Sequence, residues 1–142
     1  MSSFRYAVEI FASPERVWEV LLEVERWPEW TPTVTRVARL DAGPLALGSR
    51  TRVWQPRLMT NVWRVSALDP QARIFVWETS RPGIRVIARH HAHLAPGGST
   101  HLTLELIYKG ILGMLMAVQL KHLNWEYLTQ EAQGIKAFCE QY

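Results

Sequence analysis

The feature of this sequence that most constrains its fold is a change in the spacing of apolar residues near residue 110. Between residues 34 and 109 apolar and polar residues mostly alternate, which is the pattern of half-buried β-strands. From Ile111 onward the apolar residues recur at steps of three and four, which indicates one long amphipathic helix. Such a chain must bury one face of a sheet against a helix.

Turn sequences divide the alternating region into six predicted strands. The turns are rich in glycine and proline, as in Arg81-Pro82-Gly83 and Pro96-Gly97-Gly98. The predicted strands cover residues 34–41, 49–56, 60–69, 73–80, 84–95 and 99–109. Because they are short and follow one another directly, we expect neighbouring strands to pair antiparallel.

The N-terminal region predicts one more strand and two short helices. Residues 4–11 alternate between apolar and polar side chains, as a half-buried strand does. Ser13 followed by Pro14 predicts a helix start, because serine caps the free N–H groups and proline fits the first turn. Trp27-Pro28 interrupts that helix and predicts a second short helical piece, with Trp27 in the core.

These elements predict an α+β fold in which a seven-stranded, curved antiparallel sheet surrounds the long C-terminal helix. A helix of about 30 residues extends roughly 45 Å, which is enough to cross the sheet. A curved sheet around one helix need not be filled by side chains, so we expect an internal cavity. The 142 residues, of which 48% are hydrophobic, form a single domain over 1–142.

Cysteine usage and the apolar runs predict a cytoplasmic protein. Cys139 is the single cysteine, which excludes an intramolecular disulfide. Residues 1–11 alternate and lack the continuous apolar stretch of a signal peptide. The longest apolar run, 111–118, is far shorter than the roughly 20 residues that cross a membrane, so no transmembrane segment is expected.

Five segments of the chain match the sequence pattern of a known family. The most specific match is the order Ser13-Pro14, Val17-Trp18 and Trp27-Pro28-x-Trp30 directly after the first strand. The others are GSRTRVWQPRL, NVWRVSALDP, IFVWETSRPG and LAPGGSTHLTLEL, before the closing helix. Together these segments resemble the START-related polyketide cyclase/dehydrase and lipid-transport family. The resemblance covers almost the whole chain and implies a helix-grip fold with a hydrophobic cavity. Members of the family include lipid and hormone binders as well as polyketide aromatases and cyclases.

Alternation in the strands predicts which side chains face the cavity. In 99–109 the even positions are apolar, and in 84–95 the same logic turns Val86, His90 and Leu94 inward. The other strands and the helix add further aromatic, aliphatic and polar positions. The predicted ligand-binding residues are Gln55, Trp63, Phe75, Trp77, His90, Leu104, Tyr108, Leu112, Met116 and Leu120.

Two functions fit this lining. The first is binding or transport of a small hydrophobic ligand, lipid or aromatic and polyketide-like, which requires no cofactor. The alternative is an aromatase or cyclase in which His90 is the acid or base and Tyr108 or Gln55 a donor. No inward carboxylate is evident to orient His90, and Glu105 is assigned outward. Whether the chain is an enzyme, and whether His90 is only a core histidine, therefore stays open.

The outer face of the sheet raises one more hypothesis. His91 and His93 share that face, and a short hairpin at residues 96–98 would bring His101 opposite His93, so three imidazoles could bind a divalent metal ion. Neighbouring Arg85 and Arg89 favour an exposed basic surface instead, and we expect no metal and no nucleic-acid partner there. A homodimer is left open.

Overall fold

The computed structural model describes residues 2–141. The strands in this range are β1 Ser2–Ile10, β2 Arg36–Arg39, β3 Arg50–Trp54, β4 Asn61–Asp69, β5 Ile74–Arg81, β6 Ile84–Leu94 and β7 Thr100–Lys109. The α-helices are α1 Pro14–Leu22, α2 Ile111–Gln119 and α3 Lys121–Gln141, and short 3-10 helices cover Val24–Glu29 and Pro96–Gly98. No helix in this part of the chain is both long and apolar enough to cross a membrane.

The seven strands form one antiparallel sheet in the order β1-β7-β6-β5-β4-β3-β2. The β6–β7 hairpin has the predicted register, since His93 lies opposite His101 and the Ala95 N–H donates to the Ser99 carbonyl at 2.8 Å. A bulge between Val65 and Ala67 interrupts the β4–β5 ladder and bends the sheet. The predicted seven-stranded antiparallel sheet is confirmed.

The segment after β1 forms as its residues predict. Ser13 has extended backbone angles, and its Oγ accepts a hydrogen bond from the Arg16 N–H at 3.2 Å, which caps α1. The 3-10 helix Val24–Glu29 packs against α1, where the Trp27 indole Nε1–H donates to the Leu21 carbonyl at 3.0 Å. This bond holds the Trp27 ring against the inner face of the sheet.

The single helix expected from Ile111 is divided in two at Leu120. The N–H groups of Leu112 and Gly113 both donate to the carbonyl of Gly83, at 3.1 and 3.3 Å, which fixes the start of α2 on the β5–β6 turn. α3 instead packs mainly against β1. The two helices therefore rest on different parts of the sheet.

The packed core lies at one end of the space between the sheet and α3. There α1 and the C-terminal half of α3 cover the sheet, and Val17, Leu102 and Ile135 are fully buried. Leu94, which was predicted to face inward, is 68% exposed because it is the last residue of β6, beyond this cover. At the other end α2 contacts β6 and β7, and a space remains between the first turns of α3 and the inner face of the sheet.

The position of α3 depends on a close backbone contact. Gly134 lies against the main-chain carbonyl of Trp30, and a methyl group added at Gly134 would overlap that oxygen. Any larger residue would push α3 away from the 3-10 segment. Gly113 in α2 differs, because an added methyl group there would approach no atom closer than 3.7 Å.

We therefore expect Gly134→Ala to destabilise the protein by about 1–3 kcal/mol, although alanine favours helix over glycine. The matched Gly113→Ala substitution should leave stability unchanged or raise it by up to about 1 kcal/mol. Urea unfolding of both variants measures the difference. Equal free energies of unfolding for the two variants would show that the Trp30 contact does not set the position of α3.

Candidate functional site

A cavity of about 170 Å³ lies between the inner face of the sheet and the start of the terminal helices. Most of its wall is apolar, and its aromatic part consists of Trp27, Trp63, Trp77, Tyr108 and Tyr127. An apolar cavity of about 150 Å³ is large enough to bind benzene. The enclosed space therefore suits a small ring or one end of a longer molecule.

Most of the predicted ligand-binding residues lie around this cavity. The ones that line it are Gln55, Trp63, Trp77, His90, Tyr108, Met116 and Leu120. They come from β4, β5, β6, β7, the β3–β4 loop, α2 and the bend after it. Their part in binding stays a prediction, because placement around a cavity does not by itself demonstrate a ligand contact.

Three predicted residues lie outside the cavity wall. Phe75 faces inward but is fully buried under His90, whose ring stacks on it with centroids 4.7 Å apart. Leu104 is 3% exposed and belongs to the packed core. Leu112 is 48% exposed on the outside of α2, because α2 is apolar on nearly every side and its spacing did not show which side faces inward.

Tryptophan side chains form one continuous wall of the cavity. The ring centroid of Trp77 lies 5.2 Å from that of Trp27 and 5.9 Å from that of Trp63. Trp27, which was assigned to the core, therefore packs there and lines the cavity as well. Such a wall offers flat apolar surfaces on which an aromatic ligand can stack.

His90 is a neutral imidazole in this wall. It is 4% exposed, and its Nδ1 lies 2.9 Å from the Phe75 carbonyl oxygen. Because a carbonyl can only accept, Nδ1 carries the proton and Nε2 is left as an acceptor. Burial lowers the pKa of His90 to about 4, against the opposing effect of the Phe75 carbonyl. The ring is thus uncharged at neutral pH.

Glu131 supplies the carboxyl group that the sequence analysis did not find. This half-buried side chain lines the cavity, and the Thr33 hydroxyl donates to its Oε1 at 3.1 Å. Thr33 is itself held by Thr31, whose Oγ1 lies 2.9 Å from the Thr33 Oγ1. Burial raises the pKa of Glu131 to about 7, although the Thr33 bond acts in the opposite direction. The carboxyl can therefore gain or lose a proton near neutral pH.

Asn124 lines the cavity and carries a buried amide donor that has no partner in the described part of the chain. Its Oδ1 accepts from the Tyr108 hydroxyl at 3.0 Å, and the side chain is 3% exposed. Its Nδ2 is buried and has no hydrogen-bond partner among residues 2–141. Burial raises the pKa of Tyr108, which keeps that hydroxyl protonated as a donor. An unpaired buried donor costs about 1–3 kcal/mol, so a ligand acceptor that reached this donor would be stabilised by it.

The spacing within α3 could have revealed both polar residues. Leu120, Asn124, Leu128, Glu131 and Ile135 follow one another at steps of three and four, so they share one face of the helix. A polar residue in such an apolar stripe is a candidate for a cavity position. The prediction of the helix rested on the apolar residues alone, which do not single out Asn124 or Glu131.

The three histidines of the metal hypothesis do lie on one outer face. Ring centroids are 3.4 Å apart for His91 and His93 and 6.1 Å apart for His93 and His101. Burial is the main cause that lowers the pKa of His91, and the neighbouring His93 lowers it further. Among the residues that the structure describes, however, no group of three metal-ligating side chains could hold an ion.

Sequence comparison gives one family match over nearly the whole chain. The model of the family described as polyketide cyclase/dehydrase and lipid transport matches residues 1–137. Uncharacterized proteins of Mycobacterium tuberculosis and Mycobacterium bovis are 33% identical over 54 residues, which is 38% of this chain. The match spans 32% of the length of those curated relatives.

Solved structures with the same fold extend over the whole chain. The Zhui aromatase/cyclase of a Streptomyces species has a TM-score of 0.79 and 19% identity, covering 99% of this chain and 94% of that chain. A norcoclaurine synthase mutant of Thalictrum flavum, bound to a transition-state analogue, has a TM-score of 0.79 and 13% identity, with the same coverage. Major latex-like protein 151 of Panax ginseng has a TM-score of 0.76 and 12% identity, covering 97% of each chain. These similarities confirm the helix-grip fold.

We expect the stability of Glu131→Gln, relative to wild type, to depend on pH. Since the pKa of Glu131 is raised to about 7 by folding, the folded state holds a proton that the unfolded state has lost above its ordinary pKa. The Glu131 contribution to wild-type stability therefore falls as the pH rises towards 7, by roughly 3 kcal/mol at most, and Glu131→Gln lacks this contribution. His90 is present in both proteins, so its own titration cancels in the difference.

Urea unfolding at pH 5 and pH 8 measures this difference, with Glu126→Gln as the control for the loss of an exposed carboxylate on the same helix. The difference between Glu131→Gln and wild type should grow towards pH 8 and level off above it. A constant difference at both pH values would contradict the raised pKa.

Proposed function

This chain belongs to the polyketide cyclase/dehydrase and lipid-transport family, and on that basis we propose that it binds a small hydrophobic molecule carrying a hydrogen-bond acceptor. The observation that carries the proposal is the unpaired Nδ2 of Asn124 in the wall of an apolar, aromatic cavity. A carbonyl oxygen of the ligand would satisfy that donor. An entirely apolar ligand would leave it unpaired.

The cavity also supports a ligand of limited size and little charge. Its 170 Å³ suits a one-ring or two-ring aromatic group or a short acyl chain. His90 is neutral at pH 7, and Glu131 is only partly ionised there, so neither group requires a charged ligand. A ligand hydroxyl near His90 could donate to Nε2, which would give the ligand a second oriented contact besides the one to Asn124.

We further propose a cytoplasmic location and leave the homodimer as an alternative. The location is supported by Cys139, which is free and buried and therefore suits a reducing compartment.

Asn124→Leu tests the proposal with two probes of matched shape, 2-acetylnaphthalene, which has a carbonyl, and 2-ethylnaphthalene, which does not. The variant should bind the ketone about tenfold more weakly than wild type, which corresponds to one lost hydrogen bond. Its affinity for the hydrocarbon should not fall. Isothermal titration calorimetry measures both dissociation constants.

Asn61→Leu is the matched control, because Asn61 also lines the cavity but both ends of its amide are already paired. Its Nδ2 donates to the Met59 carbonyl, and its Oδ1 accepts from Arg81, each at 3.1 Å. Equal losses of ketone affinity in both variants, or no binding of either probe by wild type, would refute the proposed role of Asn124.

A second candidate function, polyketide cyclisation, is favoured by the carboxyl group of Glu131. A base that removes a proton next to a ketone needs a pKa near the working pH, and Glu131 meets that condition in the same cavity as the neutral His90. Asn124 and Glu131 lie two turns apart on α3, about 10 Å along the axis. A substrate held at both residues must therefore be elongated and carry several carbonyls.

The linear ketone 1-phenylhexane-1,3,5-trione tests this second function. An enzyme should accelerate its ring closure over the rate in buffer, and Glu131→Gln should abolish that acceleration while Glu126→Gln retains it. Chromatography of the products measures the rate. If wild type gives only the rate in buffer, cyclisation of such chains is excluded and the binding function stands alone.

A further inference from the structure

The outward side of α2 is an exposed apolar surface. Ile111 is 82% exposed, Val118 74%, Leu115 56% and Leu112 48%, and Met114 is 38% exposed beside them. The helix has nine residues and no charged side chain. Contiguous exposed apolar side chains on a folded protein indicate a contact surface, because water solvates them poorly.

This surface lies over the cavity. Met116 and Leu120, on the inner side of α2 and at its end, line the cavity wall. Leu58 and Met59 of the β3–β4 loop line it as well, and Met59 is 65% exposed. The inner side of α2 therefore faces the cavity, and the outer side of the same helix is the exposed apolar surface.

The charged residues nearest to α2 in the sequence have one sign. Residues 106–125 contain no aspartate or glutamate, and Lys109 and Lys121 flank the helix at its two ends. Trp125, which is 39% exposed, lies near α2. Its ring packs on Phe4, and the hydroxyl of Ser2, two residues before Phe4, contacts the Met114 sulfur at 3.7 Å. Lysine and tryptophan beside an apolar helix face are typical of proteins that contact lipid headgroups.

We propose that α2 binds the surface of an anionic phospholipid membrane, with its apolar side chains inserted among the acyl chains and the two lysines at the headgroups. Nine residues cannot cross a bilayer, so the helix lies along the interface. Each lysine near an anionic surface adds about 1 kcal/mol of attraction. A ligand could then pass between the bilayer and the cavity beside α2.

A second copy of this chain fits the surface less well. A helix of nine residues is about 14 Å long, and its five exposed apolar side chains alone fall short of the roughly 800 Å² per partner of a stable interface. Pairing two copies of this face would also bring lysines of like charge together. The membrane proposal goes beyond the binding function and does not depend on the identity of the ligand.

Sedimentation of the whole protein with vesicles tests the proposal. The vesicles consist of phosphatidylcholine alone or of phosphatidylcholine mixed with phosphatidylglycerol. Wild type should bind the anionic vesicles more tightly than the neutral ones. The double variant Ile111→Asp/Val118→Asp should bind the anionic vesicles at least about tenfold more weakly, because two inserted side chains become charged.

Two further variants separate the apolar and electrostatic contributions. Leu47→Asp/Leu94→Asp is the matched control, since these residues are 70% and 68% exposed at the end of the sheet away from α2, and it should bind more tightly than the α2 double variant. Lys109→Gln/Lys121→Gln should weaken binding to anionic vesicles by about fivefold per lysine and leave binding to neutral vesicles unchanged. Circular dichroism establishes that each variant is folded.

Three results would overturn the proposal. One is failure of wild type to bind anionic vesicles, and another is equal binding by the α2 double variant and its control. The third is a dimer in native mass spectrometry that Ile111→Asp/Val118→Asp separates, which would assign the surface to a second copy of the chain.

Discussion

The structure depends on how closely α3 approaches the sheet along its length. In its C-terminal half the helix lies against the Trp30 carbonyl at Gly134, and Ala132 and Ile135 are fully buried. In its first half the helix follows α2, which is held outward on the turn at Gly83. The space between sheet and helix is therefore filled at one end and open at the other, and the open end is the cavity.

Burial gives the cavity its chemistry. The same low-dielectric surroundings keep His90 unprotonated and make Glu131 hard to ionise, so at pH 7 His90 is neutral and Glu131 is only partly ionised. Asn124 and Tyr108 bond to each other and leave one donor free. An apolar wall with a few fixed polar atoms can bind a ligand by area and orient it by hydrogen bonds. The exposed helix α2 beside the cavity adds a route by which a poorly soluble ligand could enter.

Local patterns predicted most of the fold, because alternation and capping act over a few residues. The strands and the Ser13-Pro14 helix start needed no long-range information. Alternation did not predict which inward side chains line the cavity. Phe75 and Trp77 share one face of β5, but only Trp77 lines the cavity, because His90 covers Phe75. The interruption of the helix at Leu120 was not predicted, because α2 lacks a polar side that would mark its orientation. Glu131 was visible in the apolar stripe of α3 but was overlooked.

The central claim is that the cavity holds a small hydrophobic molecule with a hydrogen-bond acceptor. Native mass spectrometry of the protein purified without added ligand, followed by organic extraction, tests it most directly. We expect a fraction of the protein to carry additional mass, and the extract to contain an apolar compound with a carbonyl or a similar acceptor. Protein that carries no additional mass, and gains none after incubation with fatty acids, sterols and aromatic ketones, would contradict the claim.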